Sequence, residues 1–431
     1  MAGLRRHIRQ PNSYQWKTTG YWINTLNGDQ ITPINIYGQG IGTDSSNNCY
    51  AVGFWQNNST FEYGAVISKY DRNGVIQWQK SLGTAAKAQA ALVDASGNVY
   101  AAGMNSGNAS VIKFNSSGAL QWQRELADMP NPASYKAAAF DPEGNINLTG
   151  YQESSSSSNG LDVLIAKYDT AGNNQLISAL YDPSGSLYSE GDGICVDSSG
   201  NYYVVGYTEI GNGSDDGLIA KYNSSNEIQW KKGFYPESTR GLCYFTGVVH
   251  DYSGCIYCCG YYVDSDAGVN PGIVVKVNPD GSIQWQKYLS TGSEGQWNGI
   301  AIDSSNNLYV VGQDHSAAYI AKINGNGAIQ WQRSITGSAP IQNWAIAVDS
   351  AGHYYVSGYD GTNEVMFKFP TDGGRVGTYG TYTYMGSALT SSEGNLVPYA
   401  AGLTSSTLSM AEQSGSLNES ESVFATTTTI A

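Results

Sequence analysis

The chain has 431 residues, with 22 Lys+Arg against 36 Asp+Glu and a net charge of −14. Charged residues make up 13% and apolar residues 41%, with 32 Tyr, 10 Trp and 52 Gly. The composition is too apolar and aromatic for a disordered chain and too poor in cations for phosphate-driven nucleic-acid binding; no stretch reaches the ~20 apolar residues that cross a bilayer, so no membrane insertion is expected.

The N-terminus, Met1 to Gln10, holds Arg5, Arg6 and Arg9 but no apolar run and no small-residue cleavage site, so no secretory signal is expected. The three arginines are candidate docking residues for an acidic neighbour. Trp16, in Tyr14-Gln15-Trp16-Lys17, matches the last strand of the repeat that follows. This predicts that residues 13–18 complete the final repeat and fasten a ring, so that 1–40 form an N-terminal arm with a closing strand.

From 41 to 376 the chain repeats one unit. Its Asp recurs as Asp44, Asp94, Asp141, Asp197, Asp251, Asp303 and Asp349, a period of about 51 residues. Nine residues on comes a glycine in every copy, from Gly53 to Gly358, and six residues on a Tyr in all but Asn147. Each copy then has a Lys in an apolar run (Lys69, Lys113, Lys167, Lys221, Lys276, Lys322, Lys368). In five copies Trp78, Trp122, Trp230, Trp285 or Trp331 follows that Lys by nine residues. Asp-Ser-Ser-Gly-Asn runs are turns, because Asp bonds backbone amides ahead of it and Gly or Asn accepts positive φ. Between the turns lie short alternating or β-branched strands, four per unit. Seven such units predict an all-β fold, a seven-bladed β-propeller of four-stranded blades followed by a C-terminal low-complexity tail. The repeated Asp and Lys lie beside the tight turns and are read as turn bonding or ion pairing, not as catalytic pairs.

The six cysteines include Cys255-Ile256-Tyr257-Cys258, but no second pair or His set completes a metal site. Reduced, structural thiols are expected, with no metal and no cofactor. Variable connections are expected on the face opposite the tight turns, where function concentrates. Trp55, Tyr135, Phe245, Trp297 and Trp344 fall on or near that face as candidate ligand-binding rings, with packing between blades as the competing role. The four histidines form no nucleophile–base motif. Carboxylates of the variable loops, Glu190, Asp192, Asp215, Asp216, Asp264 and Asp266, face few arginines, chiefly Arg240. No enzymatic activity is expected.

After Arg375 no cation follows, and 377–431 is rich in Ser and Thr. Leu389, Leu396, Leu403, Met410, Leu417 and Phe424 fall every seven residues, with Tyr382 extending the series. Seven residues make two turns of a supercoiled helix, yet Pro398, several glycines and the single apolar residue per heptad weaken it. Such a tail is expected to need a partner surface, so its apolar series is a candidate docking stripe.

The units resemble the bacterial and viral β-propeller repeats of the Gly-Ile-Ala-Val-Asp-Ser-Ser-Gly-Asn-x-Tyr-Val-x-Gly type, as at Gly299-Ile300-Ala301-Ile302-Asp303-Ser304-Ser305-Asn306-Asn307-Leu308-Tyr309-Val310-Val311-Gly312. With the tail ending Thr426-Thr427-Thr428-Thr429-Ile430, the chain also resembles virion structural proteins, of tail or fibre type, of viruses that infect cyanobacteria. The resemblance implies a non-enzymatic component assembled in the host cytoplasm and located in the virion. It would be anchored by its termini on other virion proteins or copies of itself, with its propeller facing a host cell-surface glycan or protein. The alternative is a carbohydrate-binding propeller, glycosidase-like or not, on a bacterial surface.

Overall fold

The computed structural model describes residues 22–27, 34–83, 85–126, 132–154, 160–181, 188–210, 214–236, 241–264, 270–290, 295–379, 381–387, 390–393, 396–400, 404–407, 412–414, 419–421 and 425–430. Its regular elements are all strands, gathered into seven antiparallel sheets. Each repeat supplies four strands from the centre outward; in blade 1 these are Ile34–Thr43, Cys49–Asn57, Tyr63–Tyr70 and Ile76–Leu82. Blades 2 to 6 span 86–126, 133–181, 189–236, 241–290 and 296–336. Blade 7 draws three strands from 342–370 and its fourth, Trp22–Asn27, from the start of the chain. The chain is a seven-bladed β-propeller.

Residues at the tight turns do the work their spacing suggests. In blade 6 Asp303 accepts the amides of Ser305 and Asn307 at 2.9 Å, and the Tyr309 hydroxyl donates to it at 3.0 Å. Burial alone would raise the Asp303 pKa, but these hydrogen bonds hold it below the usual carboxylate value. Every innermost strand also carries a β-bulge, at Gln39, Gln89, Lys136, Asp192, Thr246, Asn298 and Trp344. The bulge brings a carbonyl of that strand against the next strand. A Cβ on Gly312 would stand 1.8 Å from the Gln296 oxygen, and one on Gly53 1.9 Å from that of Tyr37. Hence a glycine recurs nine residues after each Asp.

Neighbouring blades are clamped at the tight-turn end. Lys69 and Trp78 of blade 1 both donate to the Ser116 carbonyl of blade 2, at 3.0 and 3.1 Å. Lys322 and Trp331 of blade 6 treat Thr371 of blade 7 alike, at 3.2 and 3.0 Å. The ammonium also stands over the repeat tyrosine, Lys69 4.9 Å from the Tyr50 ring centre. Lys368 donates to the Arg72 carbonyl at 2.8 Å and so joins blade 7 to blade 1. The repeated Asp and Lys are structural, as the turn-bonding reading requires.

The strand that closes the ring differs from the expected one. Trp22 faces Lys368, the register in which Trp78 faces Lys69 and Trp331 faces Lys322. Trp22 therefore holds the repeat's tryptophan position; Trp16 lies outside the described residues. Tyr14-Gln15-Trp16-Lys17 mimics the local Ile228-Gln229-Trp230-Lys231 pattern, whereas the pairing partner in blade 7 selects Trp22.

Closure buries one carboxyl, to which the Ser357 hydroxyl donates at 3.4 Å. Glu364, opposite Leu26 of the closing strand and against Gly38 of blade 1, is 1% exposed, and burial pushes its pKa up to about 7. Its unfolded value lies near 4.5. The neutral form is favoured in the fold, so this contribution is complete below about pH 4.5 and disappears as pH rises through about 7. Glu364→Gln is expected to be more stable than the parent by roughly 2–3 kcal/mol at pH 8 and nearly equal at pH 4.5, as read by urea unfolding at both pH values.

The C-terminal segment follows the blades instead of forming a helix. Tyr382–Gly386 lies outside blade 6, Thr390–Glu393 outside blade 5, Leu396–Ala400 outside blade 4 and Thr404–Thr407 outside blade 3. Glu412–Ser414 and Glu419–Glu421 edge blades 2 and 1, and Ala425–Ile430 covers Trp22–Asn27 in blade 7. At one equivalent position in each blade the tail residue is Gly386, Glu393, Ala400, Thr407, Ser414, Glu421 or Thr428, each seven residues after the last. The seven-residue period is the step from blade to blade. Seven extended residues reach about 23–25 Å, enough for a short strand and its connection. Leu389, Leu403, Met410, Leu417 and Phe424 lie outside the described residues, and Leu396 is placed by its backbone, opposite Pro236. Tyr382, at the head of the series, is buried edge-on against Phe367 at 5.7 Å and donates to Asp360 at 2.6 Å.

Candidate functional site

The tight turns occupy one face of the disc; the variable connections open on the other, around the mouth of the central channel. There blade 2 passes from Asn105 to Asn108 by a two-residue turn, whereas blade 3 needs 154–160. Trp22 and Ile430 are register partners at the tight-turn end of blade 7. The chain thus enters and leaves the ring on the face opposite the mouth.

The rings expected to bind a ligand are placed differently. Tyr135, Phe245 and Trp297 are 0%, 0% and 3% exposed and fill cores between blades. They sit on inner strands next to the bulge, where neighbouring sheets press together, and offer no open face. Trp55 is half-buried, packs on Ile36 and Val66, and donates to the Ser81 hydroxyl at 2.9 Å. Trp344 occupies the bulge of blade 7. Arg5, Arg6, Arg9, Arg240 and Asp266 lie outside the described residues.

What gathers at the mouth is a different set, one step along the strand. The residue after each strand-ending glycine is Phe54, Met104, Tyr151, Tyr207, Tyr261, Gln313 or Tyr359, five of the seven aromatic. Their partners on the innermost strands are Tyr37, Lys87, Ser134, Glu190, Tyr244, Gln296 and Gln342. The Gly-Phe and Gly-Tyr dipeptides were the available signal. In blades 7 and 1, Tyr37 stacks on Phe54 at 4.6 Å and on Tyr359 at 4.4 Å, while Lys87 of blade 2 stands 4.7 Å over Phe54. In blades 3 to 5, Lys136 pairs with Glu190 and, at 2.7 Å, with Asp192. Tyr207 meets Tyr244 edge-on at 5.1 Å, Tyr244 stacks on Tyr261 at 4.7 Å, and the Tyr244 hydroxyl donates to Asp215. Asp216, by contrast, is fully buried.

Burial and neighbouring charges shift the titratable groups of this cluster. Burial pushes the Tyr261 hydroxyl up to about 12, with Asp192 adding to it. Tyr207 and Tyr244 are raised further, first by burial and then by Glu190 and by Asp215 respectively. Burial alone would lower the Lys136 pKa, but Asp192 and Glu190 hold it above the usual lysine value. A general base needs a pKa near the working pH; these tyrosines and Lys136 are moved away from it, whereas burial lowers the Lys87 pKa below the usual lysine value. The four described arginines, Arg72, Arg124, Arg333 and Arg375, belong to tight turns, outer strands or the segment after blade 7. His250 and His353 stand at the tight turns, and His315 is exposed in the short mouth-side loop of blade 6. Among the described residues no group of three or more His, Cys, Asp or Glu is arranged to hold a metal. All six cysteines are buried free thiols, burial pushing Cys259 up to about 12.

No protein-family model matches the chain, and no curated protein matches it in sequence. Solved structures share its architecture. The Neurospora crassa Pan2 WD40 domain aligns with a TM-score of 0.52 at 11% identity, over 83% of this chain and 97% of that one. The polysaccharide lyase Uly1 aligns with a TM-score of 0.50 at 9% identity, over 84% and 95%. At such identities the likeness is one of fold, and the chain joins these structures as a β-propeller.

Proposed function

We propose that the chain is a non-enzymatic binding propeller that is held from its tight-turn face and offers its mouth to a neutral carbohydrate. The observation that carries this reading is the convergence at the mouth of Tyr151, Tyr207, Tyr244 and Tyr261 with Glu190, Asp192 and Asp215. Partly exposed aromatic edges beside carboxylate and amide acceptors suit a polyhydroxylated ligand. Glu190, Asp192 and Asp215 outnumber Lys87 and Lys136 there, and the whole chain carries −14, so an anionic ligand would be repelled. The cations at the mouth are already engaged: Lys136 pairs with Glu190 and Asp192, and Lys87 stands over the Phe54 and Tyr63 rings.

The ends of the ring, both on the opposite face, support the display part of the reading. The anchoring partner would be another virion protein or a second copy of the chain, met by Arg5, Arg6 and Arg9. The virion setting itself rests on the tail resemblance, and mass spectrometry of purified particles tests it: absence of the chain from particles removes it. For the binding reading, the full chain is expected to retain neutral glycans on a glycan array at moderate salt. Retention of acidic glycans alone, or of none, would remove the carbohydrate.

A further inference from the structure

Six seams of the ring share the tight-turn clamp. Lys69, Lys113, Lys221, Lys276, Lys322 and Lys368 each donate to a carbonyl in the next blade. The seam between blades 3 and 4 departs from this at three points. Leu176 stands opposite Lys167, where the other blades place Trp. Lys167 turns to Asp141 of its own blade at 2.5 Å, in the blade where Asn147 replaces the repeat tyrosine. The facing turn of blade 4 has Asn226, at φ +65°, where Gly118, Gly172, Gly281, Gly327 and Gly373 underlie tryptophans elsewhere. With no ring to accommodate, a Cβ is admitted there. The same seam carries the mouth-side pairing of Lys136 in blade 3 with Glu190 and Asp192 in blade 4.

We infer that the joint between blades 3 and 4 is where the ring opens, tied at the mouth by the ion pairs of Lys136 instead of at the tight-turn end by a Lys–Trp clamp. The Lys136 side chain is 25% exposed, so its pairs are partly solvated and open to screening by salt. The clamp elsewhere uses a backbone carbonyl and ring packing, which salt does not weaken.

Native-state hydrogen exchange on the full chain, resolved by peptide, tests this. Amides of Asn174–Tyr181 and Ser189–Val196 are expected to exchange about tenfold faster than their equivalents in the other blades, and faster again in about 1 M NaCl. Lys136→Met should speed that seam by a further ~10-fold and leave blades 6 and 7 unchanged. Leu176→Trp with Asn226→Gly installs the clamp and should slow the seam to the level of the others. Equal protection at all seams in the parent chain overturns the inference. So does a double variant that leaves this seam unchanged, or a Lys136→Met variant that speeds every seam alike.

Discussion

Replacing Gly312 by alanine is expected to cost about 3–5 kcal/mol of stability, read as a shift of the urea midpoint at unchanged slope. The Cβ would lie 1.8 Å from the Gln296 oxygen, and backbone cannot rotate aside as a side chain can. Relief requires removing the bulge at Asn298, which would shift the innermost strand by one residue and exchange its faces. Gly144→Ala is the control. It has positive φ, which Gly312 does not, and its nearest neighbour stands 4.0 Å away, so only the conformational cost of about 1–2 kcal/mol is expected. A Gly312 variant that loses no more than the Gly144 variant would show that the close approach of the Gln296 carbonyl is not what makes the glycine necessary.

The second large effect is expected at the clamp. Trp331→Ala should lose about 3 kcal/mol, because the ring rests on Gly373 and beneath Arg333, whose guanidinium carbon is 5.5 Å from it. Trp331→Phe keeps much of the ring and loses the N–H bond to the Thr371 carbonyl, which still accepts from Lys322. About 1–2 kcal/mol is expected there, and thermal melts of the two variants give the ordering. A Phe variant as damaged as the Ala variant would assign the clamp to the hydrogen bond instead of the packing.

The repeat was legible because each of its residues has a local task that its spacing records. Asp303 caps its own turn, Gly312 admits the bulge, and Trp331 with Lys322 reaches one carbonyl in the next blade. The closing strand was not legible in the same way. Trp16 and Trp22 are equally available in the sequence, and the choice is made by pairing with Val365–Lys368, more than 300 residues away. At the mouth, bulky inner-strand rings such as Tyr135 and Trp297 are consumed by packing between blades. Tyr207 and Tyr261, directly after the glycines, stand where the sheets diverge. The tail's seven-residue period was visible, but its cause was not, since the step between blades exists only in the assembled ring. The tail strands take the outer edges of the chain's own blades, so their backbone pairing requires no external surface.

The binding assignment is tested most directly by titrating the neutral glycan selected on the array against three forms of the full chain. These are the parent, Tyr207→Ala with Tyr261→Ala at the mouth, and Glu143→Ala at a tight turn on the opposite face. The mouth variant is expected to bind at least ~30-fold more weakly, two stacked rings contributing about 2 kcal/mol, while the tight-turn variant matches the parent. A mouth variant that folds and binds like the parent, or a loss confined to the tight-turn variant, would contradict the account.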